Sequence, residues 1–320
     1  MTADRPWQKF DWLDQSKAWL EQQLRQSGAT ACAYREVHSN DRARVVKVKT
    51  SLGDVFLKAG EEPLEGLILH RLAVEAPGIG PRLFASHASD NLWAIHSGGE
   101  LLVRSHQIQY WRAAVKGLAE LHVSDPLLFT GLPVHVLDQE RLRSHFELLV
   151  RGDVLMTEWG VRSQTSTTLL EALSRISDAW DLASQFPYAA VPLHGDAHPM
   201  NAAYKENQLR WVDWAEAAVG NPLFDIGWFL FRLAQFRRAK FTTLDQLSSP
   251  EEELWSAYLK SMKIENAALD WHDAAIFALG ARVSLYDLRF RNYICSPSGE
   301  RPQYVSFYSR WLGKLLEATG

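Results

Sequence analysis

Hydrophobic and polar positions change their period once along this chain, near residue 97. Before that point, residues 31–39 (ACAYREVHS), 42–50 (RARVVKVKT) and 54–59 (DVFLKA) are short, rich in β-branched side chains and partly alternating. That pattern predicts three antiparallel strands, with SLGD at 51–54 as the turn between the last two. Residues 82–89 (RLFASHAS) and 91–97 (NLWAIHS) predict two more strands. Helical spacing appears twice in this part. Residues 11–28 line up Leu13, Ala18, Trp19, Leu20 and Leu24 as an apolar stripe that stops at Gly28, and residues 63–76 (PLEGLILHRLAVEA) form the second helix. Between them and the later strands, PGIGP at 77–81 contains G-x-G, but Pro81 follows and no phosphate-loop pattern continues, so it reads as a turn.

After GGE at 98–100 the period becomes helical. In residues 107–122, Ile108, Trp111, Ala114, Val115, Leu118 and Leu121 keep one helical face apolar. Helical periods return at about 138–158, 168–186, 224–238, 250–263, 269–290 and 303–317, and only 191–214 interrupts them with strand-like pieces. The expected fold is α+β and bilobal. Residues 1–97 would form a small lobe, with helix 11–28, a five-stranded antiparallel sheet and one inserted helix, and residues 98–320 a larger, mainly helical lobe.

Composition narrows the function classes. A net charge of −4 and a pI near 6.3 give no support for a nucleic-acid binder, which normally shows a basic face, and do not suit a surface that needs anionic lipid. Cys32 and Cys295 are the two cysteines, with no C-x-x-C pair for zinc, and they read as reduced thiols of a cytoplasmic protein. The polar start MTADRPWQKFDWLDQ has no signal-peptide pattern, and no apolar run approaches the ~20 residues that span a bilayer.

The chemistry concentrates in VPLHGDAHPMNAAYKENQLRWVDW, residues 191–214. Two short strands joined by KENQ would fold back as a hairpin. That would bring the loop holding Asp196 and Asn201 to the same edge as Asp213. Two carboxylates and an amide are hard oxygen ligands, which suit Mg²⁺ and suit zinc poorly. One remaining carboxylate could accept a proton from a substrate hydroxyl. His194, Asp196 and His198 alternate as in some metallohydrolases, but no matching histidine set follows.

HGDAHPMN at 194–201 followed by VDWAEAAVGNPLFDIG at 212–227 resembles the aminoglycoside phosphotransferase and choline kinase family. Its pattern is H-G-D-x-x-x-x-N, an apolar strand ending in Asp-Trp, then G-[DN]-P-x-x-D-[LI]. The resemblance implies a protein-kinase-like fold that uses ATP and Mg²⁺ to phosphorylate a hydroxyl of a small molecule: an aminoglycoside, an amino alcohol, a sugar or a related metabolite. It implies a catalytic loop at 194–201 and a metal-binding segment at 211–227. Asp196 matches the catalytic aspartate, Asn201 and Asp213 the metal ligands, and His194 and Asp225 positions that brace the loop. Lys58 matches the phosphate-contacting lysine, with Lys47 and Lys49 as competitors, and Glu65 its helix partner, with Glu61 and Glu62 nearby. WAIHSGG at 93–99, including Ile95 and His96, matches the hinge that meets the adenine edge. Ser39 and Asn40, in the glycine-free segment 37–44 that stands in place of a glycine-rich loop, are candidates to offer phosphate a hydroxyl or backbone N–H, although a plain polar turn explains both more simply. Ala215 stands where many relatives carry Glu, with Glu216 next to it. The rival implied by the glycine-free loop is a catalytically silent, nucleotide-binding or regulatory protein of the same fold. The tryptophans at 159, 180, 211, 214, 228, 255, 271 and 311 read mostly as core, with one or two available to line a substrate pocket. The oligomeric state stays open.

Overall fold

The structure, a computed structural model, describes residues 11–39, 43–60, 63–88, 91–152, 163–241, 244, 247–294 and 301–319, without the side chains of 163–164, 291–294 and 301–308. Residues 40–42 of the glycine-free loop, Glu61, Glu62, Trp159 and Cys295 lie outside this range, as do 153–162 at the end of one expected helix.

The first helix, α1 (Trp12–Gln26), turns Trp12, Ser16, Leu20 and Leu24 inward, four residues apart. Leu13 and Trp19 sit half-buried on its flank and Ala18 is exposed. The buried stripe is therefore rotated by about one position from the expected one, because Ser16 fits where the helix meets the sheet. Gly28, at φ 70°, ends the segment in the left-handed region.

Five strands follow: β1 (Ala31–Ser39), β2 (Ala43–Thr50), β3 (Gly53–Gly60), β4 (Leu83–His87) and β5 (Leu92–His96). All pair antiparallel in the order β1-β2-β3-β5-β4. Period-two alternation divides the sheet into two faces. Val46, Val48, Val55, Leu57, Ala59, Leu92 and Ala94 pack with α1 in one apolar cluster. Trp93, Ile95 and Phe56 join the larger cluster on the other side, where α2 (Leu64–Glu75) lies. Lys58 follows Leu57 on β3 and is paired with Trp93. Alternation thus sends Lys58 to the α2 side.

The chain then adds β6 (Glu100–Leu101), α3 (Ile108–His122), β7 (His135–Leu137), α4 (Gln139–Arg151) and α5 (Ser163–Ser184). The segment rich in site candidates carries β8 (Val191–Leu193), β9 (Ala202–Lys205), β10 (Gln208–Trp211) and β11 (Ala218–Gly220). Helices α6 (Leu223–Arg238), α7 (Pro250–Ser261), α8 (Trp271–Ile294) and α9 (Arg301–Thr319) complete it. The expected hairpin is present. Gln208 pairs with Lys205, and Glu206 and Asn207 both take positive φ, 52° and 63°, as a two-residue hairpin turn requires.

Strand structure is not confined to 191–214. β6 extends the hairpin sheet, and β7 and β11 flank one another beside β8. These pieces are two or three residues long, so they carry no period of their own and form only because tertiary pairing supplies their hydrogen bonds. No helix among the described residues is long and apolar enough to cross a membrane. Cys32 is a free, exposed thiol.

Helices α6 and α8 form the centre of the larger lobe. Leu223 to Phe231 are all buried, as are Ala274 to Ser284. The contact is backbone to backbone at Gly227, where an added Cβ would stand 2.0 Å from the carbonyl oxygen of Ala274. Neither helix can yield without moving the core. Gly227→Ala should therefore destabilise the protein by ~3 kcal/mol, at the upper end of overpacking penalties. Thermal melts check this, with a fall in Tm of ~5 °C or more expected. An unchanged melt would show that the helices can separate cheaply.

Candidate active site

The loop after β8 is shaped by one glycine and one buried carboxylate. Gly195 has φ 81°, and a Cβ there would stand 1.6 Å from the carbonyl oxygen of Glu216, so only glycine fits. The carboxylate is Asp225, fully buried in the first turn of α6. Its Oδ2 accepts the His194 backbone N–H at 2.6 Å and its Oδ1 accepts the Gly195 N–H at 3.0 Å. His122 Nε2 lies 3.3 Å from Oδ2, and His122 Nδ1 lies 2.7 Å from the Tyr258 hydroxyl. A helix start thus holds the loop through charge-assisted hydrogen bonds.

His194 does not face the cleft. Its Nδ1 accepts the Asp196 backbone N–H at 3.2 Å, which leaves Nε2 to donate to the Val212 carbonyl at 3.0 Å. Both ring nitrogens are satisfied in the neutral form. Burial pushes its pKa down, against the pull of Asp225. The Val212 N–H in turn donates to the Asn201 carbonyl at 2.8 Å. These two bonds fasten the loop to the strand end that carries Asp213.

Asp196 stands at the cleft with its side chain 31% exposed. Asn201 Nδ2 donates to the Asp196 carbonyl at 3.0 Å and to its Oδ2 at 3.3 Å. Trp228 Nε1 donates to Oδ1 at 3.0 Å. Arg282 Nη1 is 3.7 Å from Oδ1, and His198 Nε2 is 3.4 Å from Oδ2. Burial alone would raise the Asp196 pKa, but His198, by hydrogen bond and charge, and Arg282 outweigh it and hold the carboxyl well below the usual range. Asp196 is thus an ionised, oriented acceptor.

Asp213 follows β10 at φ 65°, in the left-handed region, which a non-glycine residue occupies only under local constraint. Its Oδ1 takes the Lys58 ammonium at 2.6 Å, across 155 residues of sequence. Lys58 also reaches Glu65 Oε2 on α2 at 2.5 Å, and Glu65 is buried. Burial of Lys58 opposes its charge, but Glu65 and Asp213 together raise its pKa and keep it protonated. Lys58 lowers the pKa of Asp213 in the same way, against its own burial.

The donor set fits Mg²⁺. Asn201 gives its Nδ2 protons to Asp196, which leaves Oδ1 as an amide oxygen beside the carboxylates of Asp196 and Asp213. These are all hard oxygen donors. Zinc does not fit. Zinc favours imidazole nitrogen, and both ring nitrogens of His194 are committed, to the Asp196 N–H and the Val212 carbonyl.

Lys58, Glu65, Asp196, Asn201 and Asp213 thus come together, with His194 and Asp225 behind them. Of the competing lysines, Lys47 pairs with Asp54 at 2.6 Å and Lys49 is exposed. Ser39 ends β1, exposed and opposite Arg44, with no contact to the Lys58 cluster. Ile95 and His96 are not in the hinge turn but inside β5. Ile95 is paired with Phe56, and the His96 N–H is taken by the Arg82 carbonyl at 2.9 Å. The irregular turn begins at Ser97, because the ladder with β3 runs through His96.

Sequence reasoning missed Trp228 as a ligand of Asp196, and Arg282. Trp228 stands three positions after Asp225 on α6, a spacing that puts both on the side of the loop. Arg282 sits 87 positions beyond Gly195, whose carbonyl it binds at 2.9 Å through Nη2, and nothing local marks it. Beside Asp196 lies a cavity of about 250 Å³, bordered by Glu216, Arg282, Tyr286, Arg289 and Trp311. Glu216 and Arg289 pair across it. Trp180, Trp211 and Trp214 are core residues, and Trp311 is the half-buried tryptophan that lines the cavity.

The sequence pattern of the phosphotransferase enzyme family matches residues 21–259. No curated protein matches the chain. Among solved structures, a macrolide 2′-phosphotransferase type I is similar with a TM-score of 0.60 at 15% identity, covering 92% of this chain and 96% of that one. A choline/ethanolamine kinase family protein from Mesorhizobium loti is similar with a TM-score of 0.58 at 13% identity, covering 95% and 99%. A spectinomycin phosphotransferase, solved with ADP and spectinomycin, has a TM-score of 0.58 at 12% identity, covering 94% and 97%. The bilobal architecture is that of the protein-kinase-like phosphotransferases. With the match running through most of its length, the chain belongs to the phosphotransferase enzyme family.

Proposed function

We propose that this chain is an ATP- and Mg²⁺-dependent kinase that phosphorylates a hydroxyl group of a small molecule. One observation carries the proposal: Lys58 and Glu65 from the sheet lobe meet Asp213, while Asn201 and Asp196 are fastened to the same strand end. A neighbour solved with ADP supports nucleotide use.

In this reading residues 1–97 form the nucleotide-binding lobe and 98–320 the lobe that holds the acceptor. Phosphoryl transfer needs positioning and charge neutralisation more than covalent chemistry. Lys58, kept protonated and aimed by Glu65, meets the phosphates. Asn201 Oδ1 and the Asp213 carboxylate would hold Mg²⁺, which when bound would supply positive charge against the phosphates. Asp196, ionised and fixed by Trp228 and Asn201, orients the acceptor hydroxyl and takes its proton. The cavity beside Asp196 receives the rest of the acceptor.

Thermal melts of the purified protein with and without Mg-ATP, beside the Asp213→Ala variant, test this. Nucleotide at ~100 times its Kd adds ~2.7 kcal/mol, or a Tm shift of ~5 °C for a chain of this size. The shift should need Mg²⁺ and should shrink in the variant. No shift at saturating ATP or GTP would instead favour a catalytically silent member of the fold.

A further inference from the structure

Three cations crowd one indole at the edge of this site. The charged ends of Arg282, Lys314 and Arg232 lie 4.7, 5.1 and 5.2 Å from the centre of the Trp228 ring. Lys314 is also 4.6 Å from the ring of Trp311, whose centre is 4.8 Å from that of Trp228. The three come from different helices, α8, α9 and α6. Trp228 is the residue that donates to Asp196, so the cluster stands one indole away from the proposed base.

The acidic groups facing this cluster neutralise it only in part. Asp196 is 3.7 Å from Arg282. Asp225 is engaged by the His194 and Gly195 N–H groups, and Glu216 is paired with Arg289. Glu317 accepts from Gln235 at 3.4 Å. Among the described residues no carboxylate stands within ion-pair distance of Arg232 or Lys314. Arg232 donates to the side chain of Gln235 at 3.1 Å and lies 4.6 Å from the centre of the Phe236 ring. Arg282 is 8% exposed, and its Nε, like that of Arg232, is buried without a hydrogen-bond partner. Burial, with Arg232, Arg310 and Arg282 as neighbours, pushes the Lys314 ammonium down to about 8.

Like charges gathered at the rim of a site cost stability unless something of opposite sign binds there. Aromatic rings soften that cost but do not cancel the charge. They also become unavailable: the faces of Trp228 that would cradle a quaternary ammonium are taken by the protein's own cations. A cationic acceptor would meet repulsion and find no free indole.

We propose that the acceptor of this kinase carries an anionic group, a carboxylate or a phosphate, bound by Arg232, Arg282 and Lys314 beside Asp196. The proposal rests on the kinase reading above. Such an acceptor would present its hydroxyl to Asp196 while its anionic end meets the cations gathered at Trp228.

The test has a kinetic and a binding arm. Release of ADP from Mg-ATP is followed with glucose, glucosamine, gluconate and glucose 6-phosphate, and with glycerol, choline and glycerate. Gluconate and glycerate report on a carboxylate, glucose 6-phosphate on a phosphate. In parallel, gluconate and inorganic phosphate are titrated calorimetrically into the protein saturated with Mg-ADP. The anionic compounds should exceed their neutral and cationic counterparts by about tenfold in kcat/KM or in affinity, the size of one lost charge contact. Lys314→Met and Arg232→Met should each weaken the anion by about tenfold while the Mg-ATP melt shift survives, and Lys314→Arg should restore it. Preference for choline or glucosamine overturns the proposal. So does failure of both anions to bind wild type, or anion binding unchanged in Lys314→Met. If the variants weaken Mg-ATP and leave the anions alone, the cluster serves the nucleotide and the proposal is wrong. Loss of the Mg-ATP shift in wild type is a different failure, that of the kinase reading itself.

Discussion

Asp196→Asn should keep Mg-ATP binding and lose about 10²- to 10⁴-fold in kcat, the range expected when a positioned proton acceptor is removed. The substitution is nearly isosteric. An asparagine oxygen can still accept from Trp228 Nε1, where Oδ1 does so at 3.0 Å. What disappears is the anion. The amide nitrogen cannot take a proton from the acceptor, and it turns a donor toward Asn201 Nδ2 and His198. Arg282 also loses the carboxylate that lies 3.7 Å from it. The loss should therefore appear in kcat, with little change in the KM for ATP. Steady-state rates and the Mg-ATP melt shift of the same preparation separate chemistry from binding. Turnover within a few-fold of wild type would remove Asp196 from the role of base.

The small lobe was legible because β2 and β3 alternate between the α1 cluster on one face and residues turned to the other. Val55, Leu57 and Ala59 alternate with Phe56 and Lys58, so period two appears directly in the letters. The placement of β5 between β3 and β4 was not readable, because strand order depends on which edges meet and not on any one segment. In the larger lobe, α3 shows a clear stripe, whereas α6 and α8 are apolar nearly all round and reveal burial without orientation. The loop residues His194, Asp196, Asn201 and Asp213 were found because they lie within one short stretch of fixed spacing. Lys58 and Glu65 needed the fold to single them out, since Lys47 and Lys49 carry the same chemistry nearby. Arg282 and Lys314 reach the site from helices that are far away in sequence. A charged residue on a helix is usually solvated, so neither differs from its neighbours until packing brings it to Trp228.

Asp225→Ala should lower stability by ~3–5 kcal/mol, the cost of removing one partner from a buried charged arrangement. The side chain is fully buried and accepts from two backbone N–H groups, with His122 also alongside. Alanine leaves those donors without a partner in a place water does not reach, and it leaves a hole under the loop. A fall in Tm of ~5–10 °C follows for a chain of this size. The damage should not stop at stability. The His194 and Gly195 N–H groups hold the turn that presents Asp196, and Gly195 cannot shift far with Glu216 against it. Turnover measured well below the melt should fall, because Asp196 is no longer aimed, while the Lys58–Glu65–Asp213 cluster still takes nucleotide. Asp225→Asn distinguishes bracing from simple cavity formation. Its single oxygen can serve one of the two N–H groups, and its amide must then face the other. It should fall between wild type and alanine in Tm yet remain impaired in kcat. Equal melts for Asp225→Ala and wild type would mean that the loop is held by His194 and Val212 alone.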